Sequence, residues 1–343
     1  MSSAIVRAAC AVACAAAAFA VSCAKAPEIR AEREPDLVIM SSHPADLVKL
    51  VVDEFRERSG LAVIVKSGGT GELIDRIRSG EDADLLWGGG AETLASNVGL
   101  FEPYFSPERA AVPDGLKDPD GFWTGFSVLP MVILVNSRLV APELRPTGWA
   151  DLADARFLGS VAFADPSRSG SSYTALRTML LAARAGGDRE GGWDFVGRFA
   201  GCLEGRALKE SAAVYSGVAS GEYLVGATYE YAAGDALRLG GDVSIVYPRD
   251  GSSALPDGVA IVRGTGRRPA AERFVDFALG KDVASAMRIR FLRRSARADV
   301  EPPAGLPSLD AIPLLAYDFS AAADERDATL ARFKSVLDGA SSP

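Results

Sequence analysis

Two hydrophobic periods alternate along the chain from Asp36 onward. Residues 36–40 (DLVIM) form a short apolar run, Leu47, Val48, Val51 and Phe55 recur at helical spacing up to Gly60, and residues 61–65 (LAVIV) form a second run. A helical face of Leu73, Ile74 and Ile77 follows, then the strand pattern ADLLW at 83–87, then a further helix from about Ala91. Short apolar strands separated by amphipathic helices predict an α/β fold with a mostly parallel sheet. In such sheets ligands sit beyond the carboxyl ends of the strands. The three turns there read SSHPADL (41–47), SGGTGEL (67–73) and GGGAETL (88–94).

Those turns carry small residues and hydroxyls at helix entries. The glycines at 68, 69 and 71 match neither the P-loop, which needs a lysine after its last glycine, nor the G-x-G-x-x-G dinucleotide fingerprint. What remains is a rim of backbone N–H groups and helix starts, a setting for an anion. A second block repeats the theme. Val128–Val135 predicts a long strand leaving the first sheet, and the strand ending at Asp165 runs into the Ser/Gly turn that opens a helix near Ser172. The return through VSIVYP (243–248) and LPDGVAIVRG (255–264) makes a second crossing, so two lobes, a hinge and a cleft are expected.

The N-terminal segment changes the setting. Residues 1–22 have a positive start and an Ala-rich apolar run from Ala8 to Val21, too short to span a bilayer, and predict a signal peptide. Cys23 follows Ala20-Val21-Ser22, a lipoprotein-like cleavage pattern, so lipidation of Cys23 is expected, with 23–35 as anchor and tether. A net charge of −8 argues against nucleic acid as partner. One histidine, His43, leaves no His-rich zinc cluster, and G-x-S-x-G is absent, so a hydrolase is not expected. Cys202 reads as a buried small hydrophobe.

The stretches SGGTGEL, ADLLWGGG, LFEPY, DPDGFWTGFSVLPMVILVN, ADPSRSGSSYT, GEYLVGATYEYAA, YPRDG and LPDGVAIV together resemble the periplasmic solute-binding proteins of ABC importers. They are similar to the ferric-binding branch that also includes binders of sugar phosphates and organophosphonates. The resemblance runs from about Asp36 to Arg294. It implies a two-lobed periplasmic-binding-protein fold of type II, with lobe 1 at 36–127 plus 248–343 and lobe 2 at 128–247. It also implies a monomer without cofactor, anchored to the membrane by its lipid, that delivers a small anionic solute to permease and ATPase subunits.

Ferric binders of this branch use an adjacent tyrosine pair, a histidine after the first strand and an acid after the third. Here the tyrosines are split as Tyr229-Glu230-Tyr231, His43 stands near the histidine position, and Gly88-Gly89-Gly90 fills the acid position. A hard trivalent cation wants charged oxygen donors, which glycine lacks. The expected ligand is therefore a hexose phosphate or organophosphonate, held by Ser42, His43, Gly69, Thr70, Gly88 and Gly89 on one rim and Ser169, Ser171 and Ser172 on the other. Tyr229 is expected to touch the ligand and Glu230 to accept from sugar hydroxyls or pair with an ammonium. The alternative cargo is ferric ion, with His43, Tyr229, Glu230 and Tyr231 as ligands. Trp87 and Trp123 are assigned to the core, and the basic run RIRFLRRSAR (288–297) to a helix face or a permease-docking surface.

Overall fold

The structure is a computed structural model that describes residues 34–340. The expected signal peptide, Cys23 and nearly all of the tether lie outside those residues. Among the described residues no helix is long and apolar enough to cross a membrane.

The first half of the fold follows the predicted alternation: β1 (Leu37–Ser41), α1 (Ala45–Ser59), β2 (Val63–Ser67), α2 (Thr70–Arg78), β3 (Leu85–Gly90), α3 (Ala91–Ser96), β4 (Phe101–Glu102) and β5 (Thr124–Asn136). The middle contains β6 (Val161–Ala162), α4 (Gly170–Ala185), α5 (Trp193–Cys202), α6 (Ser211–Ser220), β7 (Val225–Tyr229), α7 (Glu230–Arg238) and β8 (Val243–Val246). The return comprises β9 (Ala254–Val262), α8 (Arg268–Leu279), α9 (Lys281–Phe291), β10 (Arg294–Ser295), α10 (Phe319–Asp324) and α11 (Arg326–Ala340).

β1 is parallel to β2 and β3, but β9 runs antiparallel between β3 and β5, so the sheet is mixed rather than mostly parallel. The reason is topological. β9 comes back from the second lobe and enters the first sheet from the opposite end. β5 is the other crossing: Thr124–Pro130 pairs with β9, whereas from Met131 onward it pairs with β7 and β8.

Both halves have helices on both faces, which explains why their strands are nearly continuous apolar runs. In lobe 1, Leu37, Ile39, Leu85 and Trp87 point into a core with Phe55 and Phe274, while Met40 and Leu86 meet Leu73, Ile74 and Leu94 on the other side. In lobe 2, Met131, Ile133 and Val135 pack with Leu176, Phe195 and Phe199, and Val132 and Leu134 with Val214 and Ala233. Cys202 is buried in the first of these two second-lobe cores. The C-terminal segment adds a strap. α10 packs on α3 of lobe 1, and α11, which the sequence grouped with lobe 1, packs on α5 and sends Phe333 into the lobe 2 core beside Phe163.

Candidate functional site

The three rim turns of lobe 1 meet because two glycines let them. Gly88 and Gly89 have φ of 108° and 94°, in the region that favours glycine, and interrupt the β3–β9 register. A Cβ on Gly88 would stand 2.6 Å from Ser42 Oγ, and one on Gly89 would stand 2.7 Å from Thr70 Cγ2. Gly69 is different. Its φ is −67° and nothing lies within 4 Å of its would-be Cβ, so its backbone does not require glycine.

Between the lobes lies a cleft of about 820 Å³. From lobe 1 it is lined by Ser42, His43, Gly69, Thr70, Gly71, Gly89 and Glu92, and from lobe 2 by Ser169, Ser171, Ser211, Tyr229 and Tyr231. α2 has Gly69 at its N-cap, without a side-chain cap. On the opposite wall Ser169 caps α4 by accepting from the Ser172 N–H at 3.1 Å, and its hydroxyl lies 2.7 Å from that of Ser211 at the start of α6.

Gly88, Ser172 and Glu230 do not line the cleft. Gly88 supports the wall from behind and Ser172 is consumed by the Ser169 cap. Glu230, 1 % exposed, is taken by Arg294, whose Nε and Nη2 donate to its carboxylate at 2.5 and 2.7 Å, and by the Tyr247 hydroxyl at 2.5 Å. A carboxylate so engaged is a hinge-side ion pair and not the ligand acceptor that the sequence suggested.

The basic run also departs from expectation, since Arg293 and Arg294 are both buried. Arg293 lines the cleft. Its Nε donates to Ser127 Oγ at 2.7 Å, its Nη2 donates to Asp257 and lies 3.4 Å from His43 Nδ1, and its guanidinium carbon stands 4.4 Å from the Tyr231 ring centre. Because Arg293 only donates, Nδ1 of His43 is the acceptor and the imidazole hydrogen sits on Nε2. Burial, and then the Arg293 charge, lower the His43 pKa from 6.5 to about 3, so the ring is neutral. Asp257 opposes this only weakly across 3.7 Å. Sequence reasoning missed Arg293, Asp257, Glu92 and Ser211. The one available signal was that Arg293-Arg294 comes just after the helical run ending at Phe291, with Leu292 between.

Tyr229 donates to Thr174 Oγ1 at 3.1 Å, and its ring lies 6.2 Å from that of Tyr231. Burial pushes the pKa of both phenols up, which holds them protonated. Glu92 accepts from Thr174 Oγ1 at 3.0 Å and from Tyr317, and burial raises its carboxyl.

Residues 80–321 match the model of a family described as bacterial extracellular solute-binding protein. The chain belongs to that family. An uncharacterized protein of Haemophilus influenzae is 29% identical over 235 residues, 63% of this chain and 64% of that protein, so the match spans less than two thirds of the relative. Iron uptake protein A1 of Synechocystis is 26% identical over 275 residues, 75% of each chain. Among solved structures, the periplasmic binding protein AfuA of Actinobacillus pleuropneumoniae, bound to fructose-6-phosphate, superposes with a TM-score of 0.79 at 23% identity, covering 88% of this chain and 98% of AfuA. This likeness shows the type II periplasmic-binding-protein fold.

Proposed function

We propose that the chain is the extracytoplasmic capture component of an ABC importer. It holds a small phosphorylated or phosphonate-bearing solute, a hexose phosphate or an organophosphonate, between its lobes and delivers it to a permease driven by an ATPase. It works as a monomer tethered through a lipid on Cys23, and it catalyses no reaction. The observation that carries this reading is the make-up of the cleft wall. Hydroxyls and helix starts from both lobes, at Ser42, Thr70, Ser169, Ser171 and Ser211, face one volume of about 820 Å³, a size suited to a small organic molecule. Hydroxyls and N–H groups are what a phosphoryl oxyanion needs. AfuA, the structural neighbour with fructose-6-phosphate, adds support at the level of the fold.

Ferric ion is the second reading. It is favoured by the name of the Synechocystis relative and by the placement of His43, Tyr229 and Tyr231 in one cleft. One feature weighs against it: a guanidinium beside the Tyr231 ring, where a trivalent cation would meet a fixed positive charge. Native mass spectrometry of the protein with its co-purified cargo separates the readings. A mass increment of a phosphate ester or phosphonate supports the first. An increment of iron, with a visible tyrosinate-to-iron band lost in Tyr229→Phe, replaces it with the second.

A further inference from the structure

Two buried polar atoms in residues of the cleft wall have no hydrogen-bond partner among the described residues: Nη1 of Arg293 and Nε2 of His43. Both belong to residues that line the cleft, 2 % and 7 % exposed, and the two side chains touch each other through Nη2 and Nδ1. Buried donors are normally satisfied, and leaving one unsatisfied is costly, so a pair of them on one wall calls for an acceptor that is not part of the chain.

The rest of Arg293 is fixed. Asp257 and Ser127 hold its Nη2 and Nε, and the Tyr231 ring lies beside its face, which leaves Nη1 as the free corner of the fork. The backbone leading into it is strained as well. Leu292, the residue just after α9, has φ of 48°, a left-handed conformation that is unfavourable for a non-glycine residue. Strain of this kind persists where surrounding structure enforces it, and here it turns the chain so that Arg293 enters the cleft while Arg294 enters the hinge.

We propose that Arg293 is the anion-recognising residue of the cleft, donating from Nη1 to a phosphoryl oxygen of the solute, with Nε2–H of His43 as a second donor to the same group. This rests on the phosphorylated-solute reading and assigns its charged end to lobe 1, next to Ser42. Asp257 is then a positioning residue that orients the fork and balances its charge, so the site attracts an oxyanion without holding a naked buried cation.

The test is calorimetry with fructose 6-phosphate and inorganic phosphate, with fructose as the neutral control. Wild type is expected to bind at least one of the two phosphates and to bind fructose far more weakly. Arg293→Ala should weaken phosphate binding roughly 10- to 150-fold, the range for a hydrogen bond to a charged group. Millimolar guanidinium should restore part of that loss, a rescue that a merely structural arginine would not show. Should Arg293→Ala fail to fold, Arg293→Lys keeps the charge but not the fork and should still lose about tenfold or more. Wild-type affinity in Arg293→Ala or Arg293→Lys, with binding lost instead in Ser169→Ala, would overturn the proposal and leave the phosphorylated-solute reading standing. A wild type that binds neither phosphate would take down the Arg293 assignment together with the hexose-phosphate reading.

Discussion

Thr174 Oγ1 lies 3.0 Å from Glu92 Oε2, a hydrogen bond from α4 of lobe 2 to α3 of lobe 1 across the edge of the cleft. Thr174 also accepts from Tyr229, and Tyr317 of the C-terminal strap donates to the other oxygen of Glu92. Each lobe and the strap therefore contribute to one buried junction. Thr174→Val keeps the shape and removes the hydroxyl, leaving Glu92 and Tyr229 short of a partner. The expected outcome is a loss of about 1–3 kcal/mol in urea unfolding and a larger ligand-free radius of gyration by small-angle scattering. An unchanged radius and midpoint would show that the junction does not hold the lobes together.

The buried Arg294–Glu230 pair predicts a larger effect. Removing one partner strands a charge in the interior, so Glu230→Ala should cost about 3–5 kcal/mol, whereas a paired apolar replacement of Glu230 and Arg294 should cost much less. Chemical denaturation of the single and double variants decides it. If Glu230→Ala is stable but loses solute binding, Glu230 acts on the ligand and the hinge assignment fails.

Acid should weaken the protein through His43. Its folded pKa is lowered to about 3, and the unfolded imidazole titrates near 6.5, so in that interval the unfolded state binds the extra proton. The His43 contribution is complete above pH 6.5 and declines by about 1.4 kcal/mol per pH unit below it. Glu92 and Asp235, raised by burial, act in the opposite direction, so the informative quantity is the stability difference between wild type and His43→Asn. That difference should shift against wild type by about 2 kcal/mol between pH 6.5 and 5. A flat difference would mean the imidazole titrates normally in the folded state.

The rim glycines should separate sharply. Gly88→Ala and Gly89→Ala force positive φ on a residue with a Cβ and drive that atom into Ser42 or Thr70, so each should cost at least about 1–2 kcal/mol. Gly69→Ala, with ordinary φ and open space, should stay within about 0.5 kcal/mol of wild type. Thermal melts of the three variants test the ordering.

Cys23→Ala should release the protein from the membrane fraction if the lipid on Cys23 is its attachment. Unchanged sedimentation with membranes after detergent-free lysis would remove the anchor from the proposal.

The sequence by itself determined the elements and much of the rim. Leu47, Val48, Val51 and Phe55 fall on one helical face whatever they pack against, and the short apolar runs at 37–40 and 85–87, set between helical patterns, read as strands covered on both sides. Ser42, His43, Thr70, Gly89, Ser169, Ser171 and Tyr229 follow strands directly or open helices, so local pattern was enough to place them on the cleft. Tertiary structure decided the rest. Arg293 and Arg294 look like one basic run, yet neighbouring side chains diverge, and only the crossing of β5, the return of β9 and the turn at Leu292 send one to Asp257 and His43 and the other to Glu230. Asp257, 36 residues before Arg293, and Glu92, 82 before Thr174, acquire their partners through pairings that no local period encodes. A burial-driven shift such as that of His43 is likewise a property of the assembled neighbours, since the same imidazole in an extended chain would titrate near 6.5.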